Sequence, residues 1–215
     1  MGDSQQDTNT DTVYLMCHGD SRQDDVRRYI GQTDLPLNQT GIEQAKYWQR
    51  RLSSVSLYRI YCSDLVRSLE TARIIAQKRG MSICSLTELR EIHLGGWEGL
   101  SVTEVRQRFP GEYERRGENF PDYRPPNAES FSDLRRRIVP VFERIVSEME
   151  GNVLILGHAG VNRTILCHVL GMPLANLFRL EQQWGSLSIL VRKGNAFRLR
   201  GINILPATQE NQRGM

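Results

Sequence analysis

Two histidines of this sequence directly follow short apolar segments, where a buried strand is expected to end. His18 follows the segment TVYLMC, and His158 follows VLIL after a single glycine. Arg67 lies where a strand is expected to lead into a helix, and Glu91 opens a long irregular stretch. Imidazole, guanidinium and carboxyl groups can attack a substrate, bind anions and transfer protons. A single histidine that follows a strand is more often structural. Two histidines, an arginine and a glutamate placed near successive strand ends indicate a common site.

The residues beside the two histidines are small. Gly19 has no side chain and a permissive backbone, which suits the close approach of a ligand. Ala159 and Gly160 lie directly before a predicted helix, and the free amides at a helix N-terminus favour an anion. We therefore expect both strand ends to face a ligand.

Apolar and amphipathic segments alternate along the chain and position these residues. The pattern predicts strands at 12–17, 57–62, 82–86, 153–156, 186–192 and 196–204. It predicts a helix at 41–53, where Thr40 and Glu43 have the spacing of a capping box. It predicts further helices from a cap at 63–64 to Gly80, at 130–149 and at 161–170. Such alternation is typical of an α/β fold with a mostly parallel central sheet and helices on both faces. In that architecture the site lies outside the carboxyl ends of the strands.

The length of 215 residues favours one domain, which we place at 12–204. The segment 92–127 is rich in glycine, proline and charge, so we interpret it as a lid-like insertion. The polar ends, 1–11 and 206–215, are expected to be disordered tails.

Composition argues against several classes of protein. The formal net charge is only +3, which argues against a nucleic-acid-binding protein, and no apolar run reaches the roughly 18 residues of a membrane span. The four cysteines are far apart, so neither a disulfide framework nor a metal site is indicated. The polar start of the chain does not have the features of a signal peptide, and we expect a cytoplasmic location.

Four ordered motifs resemble those of the histidine phosphatase superfamily, also called the phosphoglycerate mutase-like family. The likeness extends over about 12–204, and within the family it is greatest to α-ribazole phosphatase-type members. The longer cofactor-dependent mutases are a poorer match. The matching motifs are Gly31-Gln32-Thr33-Asp34-Leu35-Pro36-Leu37, Ser63-Asp64-Leu65 with Arg67, Leu89-Arg90-Glu91 with Gly96-Trp97-Glu98-Gly99, and Gly157-His158-Ala159-Gly160 with Arg163.

The resemblance implies a metal-independent phosphomonoesterase that needs no cofactor and acts on a small phosphate ester. His18 would attack phosphorus and form a phosphohistidine, while His158 and Arg67 hold the phosphoryl oxygens. Glu91 would protonate the leaving group and then activate water, with Glu98 as the alternative candidate for this acid.

The remaining positions of the implied phosphate and substrate site are Cys17, Gly19, Arg28 and Ala159, with Arg28 as a contact at the rim. Cys17 stands where the family has an arginine that helps to bind the transferred phosphate. A neutral thiol cannot replace a bidentate guanidinium, so we expect attenuated activity. A cysteine phosphatase is disfavoured, because its Cys-x₅-Arg loop would need arginine at Gln23.

Two alternatives stay open. A degenerate phosphatase would bind a phosphorylated ligand without turnover, and Cys17 motivates that hypothesis. A phosphoglycerate mutase-type phosphotransferase would return the phosphoryl group to substrate before water reaches it. Neither the physiological substrate nor the oligomeric state can be derived from the sequence.

Overall fold

Six strands form one mixed sheet in the computed structural model, which describes residues 11–194 and 196–207. The strands are β1 Thr12–Cys17, β2 Leu57–Cys62, β3 Ile83–Ser85, β4 Asn152–Gly157, β5 Leu187–Lys193 and β6 Ala196–Ile204. Their order in the sheet is β3-β2-β4-β1-β5-β6. The β3-β2, β2-β4 and β4-β1 pairs are parallel, whereas β1-β5 and β5-β6 are antiparallel. The predicted α/β class with a mostly parallel sheet is confirmed.

Six α-helices accompany this sheet in the described segments. They are α1 Gln39–Arg51, α2 Val66–Ala76, α3 Val102–Arg108, α4 Glu112–Glu118, α5 Phe131–Ser147 and α6 Ala159–Val169. Short 3₁₀ helices occur at Thr87–Leu89, Gly95–Trp97 and Leu174–Arg179. None of these helices combines the length and the apolar character that crossing a lipid bilayer requires.

The two faces of the sheet carry separate cores, because successive side chains of a strand point to opposite faces. Val13 and Leu15 of β1 belong to one core, together with Ile138 of α5 and Ile165 of α6. Met16 lies in the other core, which contains residues of α1 and α2. Helices thus cover both faces, and the ends of β1 and β4 stay between the two helical layers.

Part of the segment 92–127 has a small core of its own. Trp97, Leu100 and Val105 are buried there, and Tyr29 and Tyr123 pack against Trp97 at ring-centroid distances of 5.3 and 5.6 Å. The segment contains α3 and α4, and no residue of α4 is buried. Its role as a lid stays a prediction, as do the domain limits. The predicted tails fall largely on 1–10 and 208–215, which lie outside the described residues.

Several helix starts differ from the prediction, and α6 begins at Ala159, two residues before the predicted start at 161. Helix α1 begins at Gln39 because the side chain of Asn38, not Thr40, caps it and accepts a hydrogen bond from the Gly41 amide. Helix α2 begins at Val66, and the preceding N-cap residue, Leu65, provides no side-chain hydrogen bond, so residues 63–64 do not cap it as predicted. Their side chains are used elsewhere.

Candidate active site

The two histidines predicted to act together lie side by side at one edge of the sheet. Strands β1 and β4 are parallel neighbours that pair Cys17 with Gly157. The residues that follow this pair, His18 and His158, therefore lie next to each other at the carboxyl ends of the two strands. The imidazole centroids of His18 and His158 are 5.0 Å apart. The backbone amide of His18 also donates to the carbonyl oxygen of Gly157 at 3.2 Å. Strand pairing therefore sets the distance between the two rings.

The hydrogen bonds of His18 determine which ring nitrogen carries its proton. Nδ1 lies 2.7 Å from the carbonyl oxygen of Gly19, which can only accept a hydrogen bond, so Nδ1 is the protonated nitrogen. Nε2 is then free of a proton, and Nε of Arg67 donates to it at 3.2 Å. Burial, together with the charge of Arg67, lowers the pKa of His18 to about 3. The ring is consequently neutral at physiological pH and has a lone pair on Nε2.

Arg67 is fixed by backbone carbonyls. Its Nη1 donates to the oxygen of Thr33 at 2.7 Å and its Nη2 to the oxygen of Gly31 at 2.6 Å. The side chain is 1% exposed and lies at the start of α2, directly beside His18. With two donors held by the chain and a third on His18, the guanidinium has a defined orientation next to Nε2.

Glu98 holds the loop that provides those carbonyls. Its Oε1 accepts from the amides of Gly31 and Thr33 at 2.8 and 3.0 Å and from the Thr33 hydroxyl at 2.7 Å. This carboxylate was the alternative candidate for the acid. Its hydrogen bonds connect it to Arg67 through the loop, so in this structure it holds the segment that orients the guanidinium.

His158 is fully buried and contacts a hydroxyl that the sequence argument overlooked. The Oγ of Ser63 lies 2.7 Å from Nε2 of His158. The other ring nitrogen, Nδ1, is buried and has no hydrogen-bond partner within the described residues. Burial, with Arg67 as a second cause, lowers the pKa of His158 well below its usual value. Ser63 belongs to the Ser63-Asp64-Leu65 motif, which is the only feature of the sequence that could have pointed to this contact.

Glu91 is a buried carboxyl group held by two amides. Oε1 accepts from its neighbour Ile92 at 2.8 Å, and Oε2 accepts from Gly160 in the first turn of α6 at 2.9 Å. Burial raises the pKa of Glu91, although these two hydrogen bonds and the nearby arginines 67 and 163 oppose the rise. A side chain at Gly160 would place its Cβ 2.5 Å from Oε1, so it would displace the Glu91 carboxyl group from this position.

Cys17 contributes no charge to the site. The residue is fully buried, and burial raises the pKa of its thiol to about 12, with Glu91 as the second cause. The thiol is therefore neutral. Gly19 has a packing role, because a Cβ would lie 2.5 Å from the carbonyl oxygen of Gly41 in α1. The close approach of α1 therefore explains why position 19 has no side chain.

A cleft of about 600 Å³ extends from Glu91 toward the segment 92–127. Ala159 and Gly160 line its inner end, and Arg28 lines it farther out. Arg28 already binds the carbonyl oxygen of Gly99 at 3.1 Å and Glu104 at 3.2 Å. No group of three or more His, Cys, Asp or Glu side chains in the described segments is arranged to hold a metal ion.

Comparisons with known proteins agree with this geometry. The family model for the histidine phosphatase superfamily (branch 1) matches residues 13–205. An adenosylcobalamin/alpha-ribazole phosphatase of Salmonella typhimurium is 30% identical over 185 residues, which cover 82% of this chain and 90% of the relative. A Serratia proteamaculans protein named "Probable phosphoglycerate mutase GpmB" is 32% identical over 177 residues, covering 82% of each chain. The crystal structure of the alpha-ribazole phosphatase from Shigella flexneri superposes with a TM-score of 0.83 at 27% identity, covering 89% of this chain and 96% of that one.

Proposed function

This chain belongs to the histidine phosphatase superfamily, and we propose that it hydrolyses a small phosphate ester through a phosphohistidine at His18. The observation that carries the proposal is the state of the His18 ring. Nδ1–H is bound to the Gly19 carbonyl, and the lone pair of Nε2 lies beside the guanidinium of Arg67. A neutral imidazole next to a fixed cation is suited to attack a phosphoryl group.

In the first step, the lone pair of Nε2 attacks phosphorus and the bond from phosphorus to the ester oxygen breaks. The departing alkoxide takes a proton from Glu91, whose raised pKa favours the acid form. Arg67 stabilises the negative charge on the transferred oxygens. With the Ser63 hydroxyl donating to Nε2 of His158, the unpaired Nδ1–H of that ring becomes a further donor for them.

In the second step, water attacks the phosphohistidine. Glu91, now a carboxylate, accepts the proton of the water as its oxygen bonds to phosphorus, and the bond from phosphorus to Nε2 breaks. Inorganic phosphate leaves and both side chains return to their initial states. Glu91 thus acts as an acid in the first step and as a base in the second, which balances the protons.

The enzyme is attenuated, because position 17 provides no cation. Removing one preorganised donor costs about 10²–10³ in rate, and removing a phosphoryl-stabilising arginine costs about 10³–10⁵. A thiol cannot carry the positive charge of an arginine in any ionisation state, and with the pKa of Cys17 raised to about 12 by burial the side chain is neutral. The free thiols of all four cysteines are consistent with the cytoplasmic location that we propose.

The test measures phosphate release from an activated aryl phosphate. We expect His18→Ala to be inactive and Cys17→Arg to be at least about a hundredfold faster than the unmodified chain. His168→Ala is a matched control, because His168 is a histidine of α6 that pairs with Glu143 away from the site. Where the arginine variant loses its thermal unfolding transition, Cys17→Lys provides a cation at the same position. A fast unmodified chain that gains nothing from either cation would refute attenuation.

Two other functions are distinguished in the same assay. A degenerate phosphoryl-ligand-binding protein, suggested by Cys17, would release no phosphate even with the arginine restored. A mutase, suggested by the Serratia relative, would yield phosphoryl-transfer products in place of free phosphate. Mass spectrometry of protein quenched in alkali, which preserves the acid-labile P–N bond, supports a shared intermediate for phosphatase and mutase if it shows a phosphoryl group on His18. That result would also exclude the degenerate protein.

A further inference from the structure

The short segment that carries Glu91 belongs to no helix or strand. It follows the 3₁₀ helix Thr87–Leu89 and ends before the one that begins at Gly95, so residues 90–94 have an irregular backbone. Glu91 itself is buried, and buried carbonyl oxygens outside regular secondary structure need donors from elsewhere. The position of this carboxyl group therefore depends on the groups that bind the backbone of its own segment.

Arg137 of α5 binds three backbone oxygens of this segment. Its Nη1 donates to the oxygen of Glu88 at 2.7 Å and to that of Arg90 at 3.0 Å. Its Nη2 donates to the oxygen of Glu91 at 3.3 Å, and the side chain of Gln32 donates to the same oxygen at 3.0 Å. A planar guanidinium presents its N–H groups in a fixed arrangement, so this one side chain can hold several carbonyl groups at once.

Glu129 orients this guanidinium. Its Oε1 accepts from Nε of Arg137 at 2.9 Å, and its Oε2 accepts from Nη2 at 2.8 Å. Oε2 also accepts from the amide of His93, two residues beyond Glu91, at 2.9 Å. The side chains of Arg137 and Glu129 are 22% and 24% exposed, so salt screens this ion pair less than a pair on the surface. The two side chains thus hold the backbone on both sides of Glu91.

Helix α5 gives Arg137 a rigid support. Leu134 and Ile138 of this helix are fully buried in the core, whereas Arg135 is exposed. The walls of the cleft include Glu91 but not Arg137, so a substrate in the cleft meets the carboxyl group and not the guanidinium. Arg137 therefore acts on the reaction only through the segment that it binds.

We propose that Arg137 is a positioning residue for proton transfer, which holds the main chain of 88–91 so that the carboxyl group of Glu91 stays on the Gly160 amide. The inference rests on the proposed function for the role of Glu91 as acid and base. Without Arg137, three carbonyl oxygens lose a donor and the segment turns toward water. The carboxyl group then leaves its buried position, and reactions that need its proton slow most.

The first test needs no turnover, because it follows the Gly160 amide of the full chain by ¹H–¹⁵N NMR as the pH changes. This amide binds Oε2 of Glu91 at 2.9 Å, so its chemical shift should titrate with the carboxyl group, and Glu91→Gln should abolish the titration. Burial is the main cause of the raised pKa of Glu91, so in Arg137→Met the titration should move to lower pH. Loss of a cation alone would move it to higher pH, so the direction of the shift identifies repositioning.

The second test compares kcat/KM for an alkyl phosphate and for 4-nitrophenyl phosphate. Arg137→Met should lower the alkyl value about tenfold to a hundredfold and the aryl value much less, because only the alkoxide needs a well-placed acid. In a Glu91→Gln background the same substitution should not change the alkyl-to-aryl ratio further. Arg137→Lys keeps the charge with fewer donors and should recover part of the loss. Arg135→Met, which changes an exposed arginine of the same helix, is the matched control and should alter neither measurement.

Several results would overturn the inference. They are a Gly160 titration that keeps its midpoint or moves to higher pH in Arg137→Met, an equal shift in Arg135→Met, and a further fall of the ratio in the double variant. Where Arg137→Met loses its thermal unfolding transition, Arg137→Lys decides both tests through smaller changes in the same direction. Failure of the proposed function is seen separately, because no ester then releases phosphate while the Gly160 titration still depends on Arg137.

Discussion

Replacing Glu91 by glutamine tests the acid role most directly. Glutamine retains one acceptor oxygen, but Glu91 accepts from two amides, Ile92 at 2.8 Å and Gly160 at 2.9 Å. The new NH₂ group must therefore face one N–H donor. Leaving that amide unsatisfied costs about 1–3 kcal/mol, and this cost is the same for every substrate. Loss of the proton donor costs about 10²–10⁴ in rate, but only where the leaving group needs protonation.

The assay therefore compares two esters. For an alkyl phosphate, whose alkoxide is a poor leaving group, kcat/KM of Glu91→Gln should fall about 10²–10⁴-fold. For 4-nitrophenyl phosphate, whose phenolate leaves unprotonated, the fall should be much smaller. The ratio of the two values removes any common loss of stability or binding. Because kcat/KM covers steps only through release of the alcohol, the later role of Glu91 as a base does not enter.

The pH dependence gives the same test an independent readout. Burial raises the pKa of Glu91, so its acid form persists to higher pH than that of an ordinary carboxyl group. With the alkyl ester, kcat/KM of the unmodified chain should fall as pH rises through this raised pKa, and Glu91→Gln should lose that limb. Glu143→Gln, which changes a carboxyl group away from the site, is the matched control. Equal losses with both esters, together with an unchanged limb, would refute the assignment.

Three further substitutions have definite expected results. Gly160→Ala places a Cβ 2.5 Å from Oε1 of Glu91, so its alkyl-to-aryl ratio of kcat/KM should fall as in Glu91→Gln; an unchanged ratio would contradict the contact. Ser63→Ala removes the hydrogen bond to His158 and should lower kcat about tenfold in phosphate-release kinetics, with Ser63→Thr restoring most of the loss. Glu98→Ala releases the loop that holds Arg67 and should lower kcat about a hundredfold or more, while Glu98→Gln recovers part of it; equal kinetics for alanine and glutamine would exclude a positioning role.

The sequence predicted the sheet better than the helix starts. Strands β1, β2 and β6 begin and end at the predicted residues, because apolar or β-branched runs between polar residues mark both ends of a strand. The start of α1 depended on whether Asn38 or Thr40 caps it, and two competent capping residues so close together look equivalent in sequence. The missed start of α2 has another cause, since its first turn has no side-chain cap.

The structure brings together the four residues that the sequence placed at one site, but the sequence did not indicate how they are held. Arg67 depends on the carbonyls of Gly31 and Thr33, and backbone carbonyls leave no signal in residue types. The contact of Ser63 with His158 joins residues 95 positions apart and has no periodicity that could predict it. In the sequence, Ser63 was notable only because it belongs to a family motif, and the motif did not indicate what its side chain does.

The residues proposed to act on the phosphoryl group and those of the outer cleft are held by the protein in different ways. Backbone groups beside the buried sheet fix Arg67 and Glu91, so their geometry is independent of what occupies the outer cleft. Arg116 instead lies on α4, a seven-residue helix with no buried residue, where aromatic rings hold the guanidinium from one side. We therefore expect substitutions on the exposed face of α4 to leave the geometry around His18 unchanged. Because the charge missing at Cys17 belongs to the rigid part, no change in the outer cleft restores it, and substrate preference and catalytic rate should vary independently in this protein.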